Sequence, residues 1–221
     1  MKKHTLLSDI AVFLLIIFLF IVPPFFTAAV SSETSLFNNW GFPWYQLLLA
    51  FLSAILLYFY YEKNEKAQKL TLKLFPVLFT FGMLFSISLF CRFLSEVLKG
   101  ASDSSVSEAL VSRPQGFLQW IFCLLNFLCA AFYEEVLYRF YFSDALFSLI
   151  TTKKTFRLSR LLCEALGLFA FAFAHLYFGW ISVLNAALAH VFLRLCFLKS
   201  GKLWPCVASH FIYNVISLIL L

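Results

Sequence analysis

Charge is scarce in this chain. Only 13% of its 221 residues are Asp, Glu, Lys or Arg, against about 25% in ordinary soluble domains. The signatures of several common enzyme classes are also missing. There is no H-E-x-x-H zinc motif and no G-x-S-x-G nucleophile turn. Six cysteines (Cys91, Cys123, Cys129, Cys163, Cys196 and Cys206) are scattered without a C-x-x-C pair. That spacing supports neither a disulfide framework nor a zinc ribbon, and the cysteines read as small buried hydrophobes. No internal repeat stands out, and the inverted halves of a transporter are absent.

What the chain does have is apolar surface. It is 62% hydrophobic and 20% aromatic, with 30 Phe, and its mean hydropathy is +0.90. This composition predicts an all-α, polytopic transmembrane helical bundle forming one integral membrane domain over residues 1–221. The length leaves room for about seven spans of ~20 residues and no extra domain. A net charge of +6 does not indicate nucleic acid. The basic residues sit in short segments between apolar runs, where they set topology.

The apolar runs predict spans over residues 10–30, 44–61, 74–98, 116–150, 161–178, 181–198 and 203–221. Lys2 and Lys3 precede the first run and Thr27-Ala28-Ala29 resembles a cleavage site, but the run is longer than a signal-peptide core of about 7–15 residues. It reads as an uncleaved first span. Gly179 marks a tight turn between the fifth and sixth spans. Basic segments (the N-terminus, 62–73, 151–160 and 199–202) alternate with basic-poor ones (31–43, 99–115 and 179–180) without a violation. The alternation predicts a cytoplasmic N-terminus and an external C-terminus.

The chemistry-bearing residues are concentrated after residue 115. The stretch Phe132-Tyr133-Glu134-Glu135-Val136-Leu137-Tyr138-Arg139 places three charged groups within six residues of a long apolar run. Insertion scales put each such charge at about 2.5–3.5 kcal/mol at a helix centre. Glu135 and Arg139 are four apart and share a helical face, so they are expected to pair. Glu134 is rotated by about 100° and is left available. His175 lies in the fifth span, Asn185, His190 and Arg194 in the sixth, and His210 and Asn214, one turn apart, in the seventh. Arg194 is expected to snorkel to the interface, Glu164 to be solvated, and His190 to hydrogen-bond between helices. Depths counted at about 1.5 Å per residue put Glu134, His175, His210 and Asn214 within the membrane, where one cavity open to the cytoplasm would unite them.

A carboxylate bonded to water can act as a general base, and an imidazole can orient the same water. A second imidazole and a carboxamide can donate to the oxyanion of a tetrahedral intermediate. Glu134, His175, His210 and Asn214 therefore suit hydrolysis of an amide or ester without a covalent intermediate. His175, His210 and a Glu also form a His₂Glu set of the kind that holds catalytic zinc.

The order of Glu134-Glu135-x-x-x-Arg139, Phe171-x-x-x-His175 and His210-x-x-x-Asn214, with Leu203-Trp204-Pro205 ahead of the last motif, resembles the CPBP (Abi) family. That family includes CAAX prenyl endopeptidases and bacterial bacteriocin-processing or immunity proteins. The resemblance covers residues 116–221, leaving 1–115 as three N-terminal spans. It implies an intramembrane glutamate endopeptidase with no cofactor, acting on a membrane-associated or lipidated peptide or protein near the cytoplasmic face. By motif, Glu134 would activate water, His175 would help hold it, and His210 and Asn214 would form the oxyanion site. Glu135 and Arg139 would brace the helix, and Phe171 would pack beside the site. His190 is an imidazole that the motifs do not explain. The compact size suggests a bacterial inner-membrane protein. Three rival readings remain at this point: a zinc-dependent membrane protease, a non-catalytic immunity or scaffold protein, and an ion pathway.

Overall fold

The computed structural model describes residues 6–26, 40–61, 74–101, 112–150 and 156–220. The possible cleavage site at 27–29, the basic loop at 62–73 and most of the 99–115 loop lie outside the described residues. Among the described residues the chain is helical and contains no strand. α1 (Leu6–Ile16) runs into a π-helical turn, Ile17–Ile21, and a 3₁₀ turn, Pro23–Phe26. α2 spans Trp44–Tyr61 and α3 Leu74–Ala101. α4 (Phe117–Glu135), a π segment (Val136–Tyr141) and α5 (Phe142–Ile150) form one rod. α6 (Phe156–Phe173), a 3₁₀ turn (Leu176–Phe178), α7 (Trp180–Ser200) and α8 (Trp204–Leu220) complete the bundle.

The protein is an all-α membrane bundle. Five helical stretches are long and apolar enough to cross a bilayer: Leu7–Phe26, Leu74–Leu98, Phe117–Ile150, Arg157–Phe178 and Trp180–Ser200. Trp44–Tyr60 and Trp204–Leu220 are shorter apolar helices. At about 1.5 Å per residue, the 34 residues of Phe117–Ile150 reach ~51 Å, well beyond the ~30 Å of a hydrocarbon core. That rod must tilt or protrude.

α8 packs against α3, α4 and α7, α6 against α5 and α7, and α2 against α4. Small polar residues sit at these seams, where their size lets backbones approach. Ser53, Ser95 and Ser209 are buried, and the Ser209 hydroxyl lies 3.0 Å from the Val77 carbonyl on α3 and 2.6 Å from that of Pro205. Gly167 on α6 is a closer approach still. A Cβ there would stand 2.7 Å from Ser143 Oγ on α5.

The centre of the bundle is the π segment. Residues 135–143 form an unbroken buried run, and Val136, Leu137, Tyr138, Phe140 and Tyr141 pack with Phe13 and Ile16 of α1, Leu49 and Leu56 of α2, and Phe171 of α6. The sequence reading placed one continuous helix here. A wider-wound turn is found instead, and π turns inside α-helices recur at functional sites. The fifth span reaches Phe178 as expected, but its α-helical part ends sooner. α6 stops at Phe173 and a 3₁₀ turn leads to Gly179 at φ 101°. Glycine suits this left-handed reversal because it has no Cβ to clash.

Candidate active site

α4 ends on two adjacent carboxylates, and the π segment starts immediately after them. Glu135 and Arg139 are both fully buried, with Arg139 Nε 3.2 Å from Glu135 Oε2. The expected i,i+4 pair is therefore present. The other oxygen, Glu135 Oε1, lies 2.9 Å from His210 Nδ1. An ionised carboxylate only accepts, so Nδ1 carries the hydrogen and donates. This contact links α4 to α8 and turns Nε2 of the same ring toward Glu134 Oε2, at 3.8 Å. That distance is too long for a direct hydrogen bond but short enough for strong coupling. His210 thus bridges the two carboxylates.

Glu134 is the less enclosed of the two, with a side chain 16% exposed. Its Oε2 is nevertheless shielded and has no hydrogen-bond partner among the described residues. A shielded carboxylate oxygen without a partner is uncommon in folded proteins and calls for a functional account. Its electrostatic neighbours are His175, His210, Tyr133, Tyr138 and Tyr177.

His175 stands just beyond the last turn of α6, within the stretch Arg157–Phe178. Its Nδ1 lies 2.8 Å from the Phe171 carbonyl, so Nδ1–H donates there and Nε2 is left free to act. The same Phe171 forms the floor of the cluster. The Arg139 guanidinium lies 4.2 Å from its ring centroid, a cation–π contact, and the His175 ring lies 4.8 Å away. Asn214, one turn beyond His210 on α8, is half-buried and makes no side-chain hydrogen bond among the described residues. Of the predicted set, Glu134, Glu135, Arg139, Phe171, His175 and His210 converge. Asn214 shares their neighbourhood through its place on α8.

One expectation is corrected and a second qualified. Arg194 does not snorkel: it is 4% exposed. It meets Glu164 through Nε at 2.9 Å and Nη2 at 2.7 Å, and Asp144 at 3.2 Å. Glu164 is accordingly paired as well as partly solvated, with its side chain 26% exposed, and Arg160 adds contacts to Asp144 at 2.5 Å and Glu164 at 2.8 Å. Four charges on α5, α6 and α7 neutralise one another, which makes the burial of Arg194 tolerable. The Arg160–Glu164 spacing was the available signal. His190 is an interhelical hydrogen-bonding residue as expected, with its Nδ1 3.1 Å from Arg139 Nη1. An apolar cavity of about 420 Å³ lies elsewhere, between α1, α5 and α6, and none of the candidate residues lines it. Among the described residues, no group of three or more His, Cys, Asp or Glu side chains is arranged to hold a metal ion.

Residues 116–216 match the family model described as type II CAAX prenyl endopeptidase Rce1-like. This segment belongs to the CAAX protease family. The matched CAAX protease segment begins at the glycine before α4 and ends within α8, so it contains every residue of the cluster. The match supports a CAAX-type protease, a peptide-bond hydrolase, over this segment. No curated protein and no solved structure matches the chain.

Proposed function

We propose that this CAAX-type protease is a glutamate endopeptidase in which Glu134 activates the attacking water. The observation that carries the reading is the shielded, partner-free oxygen of Glu134 beside two imidazoles. His175 presents Nε2 to the same water, because its Nδ1–H is spent on the Phe171 carbonyl. Glu134 takes a proton from water, and the resulting hydroxide adds to the scissile carbonyl carbon. With its ring doubly protonated between the two carboxylates, His210 keeps Nδ1–H on Glu135 and offers Nε2–H to the oxyanion, which also accepts from the Asn214 amide. The tetrahedral intermediate collapses as the C–N bond breaks, and the proton held on Glu134 passes to the leaving nitrogen. Glu135 and Arg139 hold His210 by its other nitrogen, so the ring is oriented before substrate arrives.

No metal or other cofactor takes part in this scheme. The substrate is a membrane-associated or lipidated peptide or protein. The alternation of basic segments supports a cytoplasmic N-terminus.

The test is cleavage of quenched prenylated peptides by purified protein in detergent, with wild type beside Glu134→Gln. Gln keeps the shape and removes the base, so the rate should fall by at least about 100-fold, as expected for loss of a general base. A strong chelator should leave wild-type activity unchanged. Cleavage surviving Glu134→Gln would overturn the mechanism. Loss with chelator and recovery with zinc would reassign His175 and His210 as ligands.

A further inference from the structure

Arg139 is gripped twice by α7. Its guanidinium Nη1 meets His190 Nδ1 at 3.1 Å, and its main-chain carbonyl accepts a hydrogen bond from Arg194 Nη1. His190 and Arg194 are four apart, one turn of the same helix face. Both are buried, at 2% and 4% exposure. Arg139 cannot donate the hydrogen to another cation, so His190 Nδ1 is an acceptor here and the imidazole is unprotonated at that nitrogen. Arg194 is itself immobilised by Glu164 on α6 and Asp144 on α5. The chain of contacts runs from this four-charge cluster through Arg194 to the π segment, then through Arg139 to Glu135 and on to His210.

We propose that His190 and Arg194 are a positioning pair that holds the π segment and, through Arg139 and Glu135, sets the orientation of the His210 ring. Neither residue touches the reacting atoms. His190 fixes the guanidinium plane so that Nε faces Glu135. Arg194 fixes the main chain of the wide turn that carries it. The assignment rests on the proposed roles of Glu134 and His210.

Three variants test it in the full-length protein. Asn at 190 places an amide oxygen near the position of Nδ1, whereas Leu offers no acceptor. His190→Leu should lower kcat by about 10- to 100-fold with KM little changed, the size of effect that small misplacement produces. His190→Asn should recover most of that loss. Arg194→Lys keeps one charge but cannot span Glu164 and the Arg139 carbonyl together. It should speed amide hydrogen exchange across residues 136–142 while leaving the amides of α7 and α8 protected. Equal activity of the Asn and Leu variants, or a KM effect alone, would remove His190 from the pair. Exchange that rises throughout the bundle, or not at all, would remove Arg194. The exchange measurement needs no substrate, so it stands apart from the protease reading. An inactive wild type with the local exchange response intact would sink the glutamate mechanism and keep the mechanical coupling.

Discussion

Arg139 and Glu135 are each fully buried, and each is tolerated because of the other. Removing one partner of a buried pair leaves a charge that nothing compensates, which costs about 3–5 kcal/mol. Replacing both with apolar residues removes the uncompensated charge and leaves the smaller cost of His210 and His190 losing these hydrogen bonds. Arg139→Met should therefore lower stability by about that amount, and the Glu135→Leu/Arg139→Met double variant should be less destabilised than Arg139→Met. Thermal unfolding in detergent reads both values, and a double variant worse than the single would refute the account. This pair is legible in the sequence because its members are four residues apart, one helical turn. The partner of His210 is not, since Glu135 lies 75 residues away and no spacing rule links α4 to α8. Arg194 misleads for the same reason: near a helix end a lone cation resembles a snorkelling one until Glu164, 30 residues earlier, is packed beside it.

Helices α5 and α6 meet with almost no space between Gly167 and Ser143. The Ser143 side chain is 1% exposed, so it has no open direction in which to retreat. Gly167→Val should force the two helices apart, with an overpacking cost of about 1–3 kcal/mol. It should also pull Asp144 on α5 away from Arg160 and Glu164's partner Arg194, so activity should fall along with the unfolding temperature. An unshifted unfolding temperature would mean that α6 is not seated as closely as described. At this scale the helical order and the Gly179 reversal are legible from apolar run length and a single glycine. The π segment is not. Phe132 to Ile150 reads as uninterrupted helix because a π turn uses ordinary helix-forming residues and differs only in winding. The end of α6 at Phe173 is hidden too, because Ala174 and Leu176 extend the apolar run past the point where the chain turns.

Two helices are short for a bilayer. The 17 residues of α8 reach only about 25 Å at 1.5 Å per residue, some 5 Å less than a typical hydrocarbon core. Length alone leaves open whether α8 crosses, but the site fixes its depth. His210 is bonded to Glu135, and Glu134–Glu135 lie midway along the 34-residue rod Phe117–Ile150. α8 also lies against α3, α4 and α7, so it is held among long apolar helices rather than on the membrane surface. A shortfall of a few ångströms costs only fractions of a kcal/mol per ångström and is met by local thinning or by interfacial side chains; the exposed Trp44, which opens α2, is suited to that role. If both cross along with the five long helices, the count is seven, and an odd number of crossings puts residues 1 and 221 on opposite sides. The proposed orientation, argued from the basic segments, has the first of these in the cytoplasm. Reporters fused before residue 1 and after residue 221, one active only in the cytoplasm and one only outside, should therefore give opposite readings. Moving the second fusion into the basic turn at 199–202 should return a cytoplasmic signal. Matching signals from the two ends would mean that α2 or α8 fails to cross. Failure of α8 would also place His210 at the surface, away from Glu135, and Glu134→Gln and His210→Ala would then no longer act on one shared site.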